Sequence, residues 1–158
     1  MTGRPVAPER RGVAPPDPPP GANGLARRLV EHEANGRPAA ADLLPAGERV
    51  LRRLRDDLSR VLGDEGFAAL EGRALDLAGR RFAFLANGAR GPRSLDDARA
   101  ALAGRDPREA GEALQAVCAH LIGLLFTFLG EPLTRRLIRL AWPDLPGDDS
   151  AARARETR

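Results

Sequence analysis

An apolar stretch in the last third of the chain, introduced by a strong helix start, most narrows the folds open to it. Asp106 offers a side-chain acceptor at an N-cap, Pro107 suits the first helical position, and Glu109 places a carboxylate in the first turn. Behind them Leu114, Val117, Leu121, Leu124, Leu125, Phe128 and Leu129 recur at helical spacing, and Ile122 and Phe126 carry the apolar surface round much of the circumference. A helix apolar on most sides needs neighbours on most sides, so this segment is expected at the centre of the fold. Its continuous apolar part, Val117 to Leu129, contains His120, Gly123 and Thr127 and falls short of the roughly 20 residues that cross a bilayer, so no membrane span is expected.

The partners for that helix are legible as further amphipathic segments. Val50, Leu51, Leu54, Leu58, Val61 and Leu62 predict a helix from about Gly47 to Leu62. Gly63 supplies a stop, and Phe67, Leu70, Ala74, Leu77, Ala78, Phe82 and Leu85 predict a second helix from Asp64 to about Leu85, the two forming an antiparallel hairpin. Asn23 is expected to cap a marginal helix carrying Leu25, Leu29 and Val30, interrupted by Asn35, Gly36 and Pro38. Ser94 and Asp97 form a capping box before a short helix that Gly104 ends. Gly130 and Pro132 break the central helix before a last segment with Leu133, Leu137, Ile138, Leu140, Ala141 and Trp142, closed by Pro143.

No run alternates as a strand would. The expected class is therefore all-α, a compact bundle of four principal helices with short accessory helices and disordered termini. Residues 1–22, with seven prolines in the first twenty, read as a solvated tail, 23–145 as one helical domain, and 146–158 as a flexible polar end. A chain of 158 residues with 42% hydrophobic and 30% charged residues fits one such domain.

The net charge is +3, and every basic residue is arginine. The two signs are interspersed, which disfavours a nucleic-acid binder, because phosphate neutralisation needs locally clustered cations. A single cysteine, Cys118, in apolar surroundings reads as a buried reduced thiol. The N-terminal residues lack the apolar core of a signal peptide, so a cytoplasmic location is the expectation.

Candidate chemistry is sparse. His120, Thr127, Glu131 and Thr134 fall near one stripe if the helix continues, and they would form a small polar ligand pocket, with His120 titrating near neutral pH and Glu131 balancing a cation. The competing reading is a structural network in which Thr127 bonds back one turn and Glu131 pairs with Arg135. Arg135, Arg136 and Arg139 form a basic cluster for anions or an acidic protein, and Trp142 is either a plug for the bundle or an interface anchor. Arg49, Arg52, Arg53 and Arg55 are diluted by Glu48, Asp56 and Asp57 and read as surface solvation. Cys118 and His120 point about 160° apart on a helix and cannot act as nucleophile and base. No phosphate-loop, dinucleotide, zinc or serine-elbow motif occurs, so no catalytic residue, cofactor or metal is expected.

The string His120-Leu121-Ile122-Gly123-Leu124-Leu125-Phe126-Thr127-Phe128-Leu129-Gly130-Glu131, followed by Leu133-Thr134 and Trp142-Pro143, is similar to bacterial all-helical proteins to which no activity is attached. That resemblance covers about 25 residues and implies helices, with no role for any position. The functional expectation is a non-catalytic protein-interaction or regulatory adaptor, meeting a protein partner or a second copy. The alternative is a ligand-sensing or nucleic-acid-associated regulator.

Overall fold

The computed structural model describes residues 17–36, 39–86 and 93–146. They form five α-helices: α1 (Pro20–Glu33), α2 (Ala40–Gly79), α3 (Leu95–Ala103), α4 (Pro107–Leu129) and α5 (Glu131–Ala141), with a 3-10 turn at Ala83–Leu85 and no strand among the described residues. The all-α bundle is as expected, but the number of helices is five rather than four. The extreme terminal segments expected to be tails, 1–16 and 147–158, lie outside the described residues, as does Pro38.

Helix α4 starts where the residue types place it, with the Asp106 carboxylate accepting from the Glu109 N–H at 3.3 Å. Its one face after another is covered: Ala113, Leu114, Val117, Cys118, Ala119, Leu121, Ile122 and Leu125 are all fully buried, against α1, α2 and α5. By length and composition α4 is a candidate for a membrane span, 23 residues rather than the short run expected, yet half of its apolar window is enclosed by its own bundle.

Helix α2 is two helices in one. Gly63, at φ 80° and ψ 160°, is non-helical, and glycine adopts that left-handed φ without a Cβ penalty. In a straight helix Arg55 and Glu71 would stand about 24 Å apart along the axis, whereas their side chains form an ion pair, so the chain reverses at Gly63. The predicted hairpin is present, with arms 40–62 and 64–79 and different outer ends. The first arm begins at Ala40 instead of Gly47, its start fixed by the Ala39 N–H donating to Asp42 at 3.2 Å and its passage through Pro45 offset by Leu43 packing on Gly111. The second ends at Gly79 instead of Leu85, because the chain folds back so closely that a Cβ on Gly79 would lie 3.3 Å from the Ala86 backbone.

The first helix is longer than its sequence signals. It begins at Pro20, three residues before Asn23, so 20–22 belong to the helix rather than to the tail, and Ala22 is fully buried. Asn35 at φ 61° and Gly36 at φ 103° end it, the Gly36 N–H donating to Glu31 O at 2.8 Å. The break at Gly130 is also present: this residue, at φ 89°, is both the last cap of α4 and the first of α5.

Glycines set how closely α4 is approached. A Cβ on Gly47 would lie 2.9 Å from Leu114, one on Gly111 would lie 2.3 Å from the Leu43 Cβ, and one on Gly123 would lie 2.9 Å from Pro19. A methyl group at the Gly111 position therefore pushes the first arm of α2 away from α4. Gly111→Ala is expected to destabilise the fold by about 1–3 kcal/mol. Gly24→Ala, on an open helix surface where a Cβ meets nothing within 4 Å, is expected to stabilise it by about 0.5–1 kcal/mol. Urea denaturation of both variants checks the pair, and equal effects at the two sites would contradict the packing.

Candidate functional site

The four residues of the expected polar stripe do not share a site. The helix breaks at Gly130, so Glu131 and Thr134 belong to α5 and leave the line of His120 and Thr127. The Thr127 hydroxyl donates to Gly123 O at 3.2 Å and the Thr134 hydroxyl to Gly130 O at 2.9 Å, each satisfied within its own turn. Glu131 accepts from Arg135 Nε at 3.0 Å. The structural network is what the side chains form.

His120 and Thr127 do share a shallow groove of about 260 Å³ with Asp17, Arg73, Leu77 and Leu124. Burial lowers the His120 pKa from its ordinary value; the Asp17 carboxylate opposes this and the Arg80 guanidinium adds to it. Cys118 is fully buried, its thiol directed at Gly47 O at 4.0 Å and its pKa pushed up by burial to about 12, which leaves it an inert core residue. Among the described residues there is no group of three or more His, Cys, Asp or Glu arranged to hold a metal ion.

Trp142 is a plug. It is 1% exposed, and its Nε1–H donates to Glu33 Oε1 at 3.0 Å while the Arg53 guanidinium lies 5.3 Å from the ring centroid. It is therefore not available as an interface anchor. Glu33, at the end of α1, also forms ion pairs with Arg49 at 3.7 Å and Arg53 at 3.5 Å, and its backbone oxygen accepts from Arg49 at 2.7 Å. One carboxylate thus ties α1, the first arm of α2 and the residue after α5 together.

The arginines of 49–55, expected to be solvated, are mostly cross-links. Besides the contacts to Glu33, Arg55 pairs with Glu71, a carboxylate only 1% exposed. Glu71 also accepts from the backbone N–H of Leu95 at the start of α3, so it joins the hairpin to that helix. Burial raises its pKa above the usual carboxylate value and outweighs the lowering by Arg55 and the Leu95 N–H. Neither Glu33 nor Glu71 stands out in the sequence; a carboxylate on the apolar face of an otherwise regular heptad-like pattern, as at Glu71 between Phe67, Ala74 and Leu75, is the one available signal.

The exposed cluster is at the last helix. Arg135 is held by Glu131 and lies 5.4 Å from the Phe126 ring centroid, whereas Arg136 and Arg139 are exposed. Helix α5 buries Thr134, Ile138 and Ala141 against α4 and α2 and leaves Leu133 42% and Leu140 70% exposed along one flank. Phe128, in the last turn of α4 before the Gly130 corner, is 66% exposed. The sequence pattern places these leucines on the apolar side of α5; that α5 is too close to the edge of the bundle to cover them is a property of the assembled helices.

For Glu71 the raised pKa has a definite sign in stability. The folded state holds its proton more tightly than the unfolded chain, so its contribution is fully present below the unfolded value of about 4.5 and is lost as pH rises through the folded value. The stability of the wild type relative to Glu71→Gln is expected to increase on acidification from pH 7 toward that unfolded value and then to level off. Denaturant titrations of both proteins across that range check it; a flat or falling difference would contradict the assignment.

Comparison of the chain with protein-family models, curated proteins and solved structures finds no match. The likeness of the C-terminal string to bacterial proteins accordingly reaches no further than the helical class, and what the chain does has to be argued from its own surface.

Proposed function

We propose that this protein is a non-catalytic interaction module that docks an acidic amphipathic helix of a partner protein along the outer flank of α5. The observation that carries the reading is the exposed row of Leu133 and Leu140, with half-buried Leu137 between them, one and two turns apart and bordered by Arg136 and Arg139. Leucines at this spacing are the knobs on which a helix seats its own apolar stripe.

The charge selects the partner. Glu131, the only acid of α5, is engaged by Arg135, so Arg136 and Arg139 leave the flank positive. A partner carrying carboxylates beside its apolar stripe gains from that field, while a second copy of this chain, aligned through the same flank, would bring arginines against arginines.

The inert Cys118 makes a direct test simple. A cysteine introduced at position 140 is the one reactive thiol, and it accepts a photo-activatable crosslinker in the full-length protein. Illumination in lysate of the native host is expected to give discrete heteromeric adducts with Leu140→Cys, suppressed at least several-fold by adding Arg136→Glu and Arg139→Glu, and none from Arg52→Cys, an exposed position of α2. Identified partners should carry an acidic amphipathic helix at the crosslinked residue. Absence of adducts, equal adducts from position 52, or an adduct with a second copy alone would overturn the reading.

A further inference from the structure

A second surface, on the opposite side of α1 from the Glu33 cross-link, has the composition of an anion site. A groove of about 470 Å³ is lined by Asn23, Gly24 and Arg27 of α1, Arg81 and Phe82 of the turn after α2, and Glu112, Gln115 and Ala116 of α4. Three separate elements supply its walls. Asn23 and Arg27 stand one helical turn apart and so share a face of α1, as Glu112 and Gln115 do on α4. Gly24 faces open space, where a Cβ would meet nothing within 4 Å.

Charge pairing distinguishes this groove from most of the arginine-rich surface. Arg49, Arg52, Arg53, Arg55, Arg73, Arg80, Arg99, Arg108 and Arg135 each have a carboxylate within ion-pair distance. Among the described residues Arg27 and Arg81 have none. The one carboxylate on the wall, Glu112, is matched by Arg108 at 3.5 Å. The guanidinium of Arg81 lies over the Phe82 ring, 5.2 Å from its centroid, and Phe82 is itself braced edge-on by Phe84 at 6.1 Å. A guanidinium held over a ring with no carboxylate beside it keeps N–H groups to offer, and its fork can grip an oxyanion in a two-pronged manner.

We infer that this groove binds a phosphate group, held between the guanidiniums of Arg27 and Arg81 and hydrogen-bonded by the side-chain amides of Asn23 and Gln115. A tetrahedral dianion offers acceptors in enough directions for donors arriving from three elements, which a single carboxylate does not. The volume also leaves room for a small organic group bearing the phosphate. The site is independent of the α5 flank, so it stands or falls apart from the docking reading.

The test is calorimetric titration of the full chain at low ionic strength with two probes, inorganic phosphate and glucose 6-phosphate. Saturable one-to-one binding of either is expected, with at least a tenfold loss of affinity in Arg27→Ala/Arg81→Ala and a change of less than about twofold in Arg136→Ala. Tighter binding of the sugar phosphate identifies an organic monoester as the ligand type, and equal binding identifies the free anion. Arg27→Lys and Arg81→Lys keep the charge and lose the fork, and each is expected to weaken binding several-fold while the thermal melt without ligand stays unchanged. No saturation below about 10 mM of either probe, or affinities that the Arg27 and Arg81 variants leave intact, would overturn the inference.

Discussion

The rest of this molecule follows from the need to surround α4. Its apolar surface runs round most of the circumference, and a side left open would expose a row of leucines to water at a cost of about 25 cal/mol per Å². Four helical segments are recruited to prevent this: α1, the two arms of α2, and α5. Enclosing one cylinder with several others requires short interaxial distances, and side chains on both partners would hold the axes apart. Gly47, Gly111 and Gly123 remove that obstacle at three levels along the contact, where Leu114, Leu43 and Pro19 fill the space a Cβ would occupy. The same closeness fixes the reversal at Gly63 and the break at Gly130, because both second arms have to return along the helix they cover.

This explains which parts of the fold were legible in the sequence. Caps, stops and amphipathic spacing are local, and they located α3, α4 and the two breaks at Gly63 and Gly130. What they misplaced were ends decided by contacts distant in sequence. Pro45 reads as a barrier to a helix, yet the first arm of α2 extends through it to Ala40 because Leu43 gains the Gly111 notch. Asn23 is a good capping residue, yet α1 starts at Pro20 because Pro19 and Ala22 pack on Gly123. Conversely, Phe82 and Leu85 fit the period of the second arm, and the fold places them at the cap and the end of a 3-10 turn so that the chain can pass Gly79.

The polar residues were less legible, for a related reason. The stripe of His120, Thr127, Glu131 and Thr134 exists only on an unbroken helix, and the Gly130 corner divides it into two unrelated pairs. Glu33 and Glu71 carry the long-range polar contacts instead, and each looks like an ordinary surface acid until its partners are brought from other elements. A buried carboxylate is costly unless it is paired and hydrogen-bonded. Glu71 meets that condition only through Arg55 across the hairpin and the Leu95 N–H of α3, so its burial presupposes that the hairpin has closed and α3 has docked.

The near balance of the chain's charges conceals how unevenly they are distributed once it folds. Arginine does not titrate in the accessible range, so the positive potential at any place is set by which guanidiniums have a carboxylate beside them. Several acids of α1 and α2 are taken up by arginines, some across helices and some along one: Glu33 takes Arg49 and Arg53, Glu48 takes Arg99 of α3 as well as Arg52 one turn away, and Asp76 takes its near neighbours Arg73 and Arg80. Among the arginines left without such a partner, Arg27 and Arg81 border a polar groove and Arg136 and Arg139 an apolar flank. These two surfaces differ in what surrounds the charge, hydrogen-bonding amides at one and leucines at the other. That difference in surroundings, rather than the charge itself, is what separates the two proposals, a small oxyanion at the first and an amphipathic acidic helix at the second.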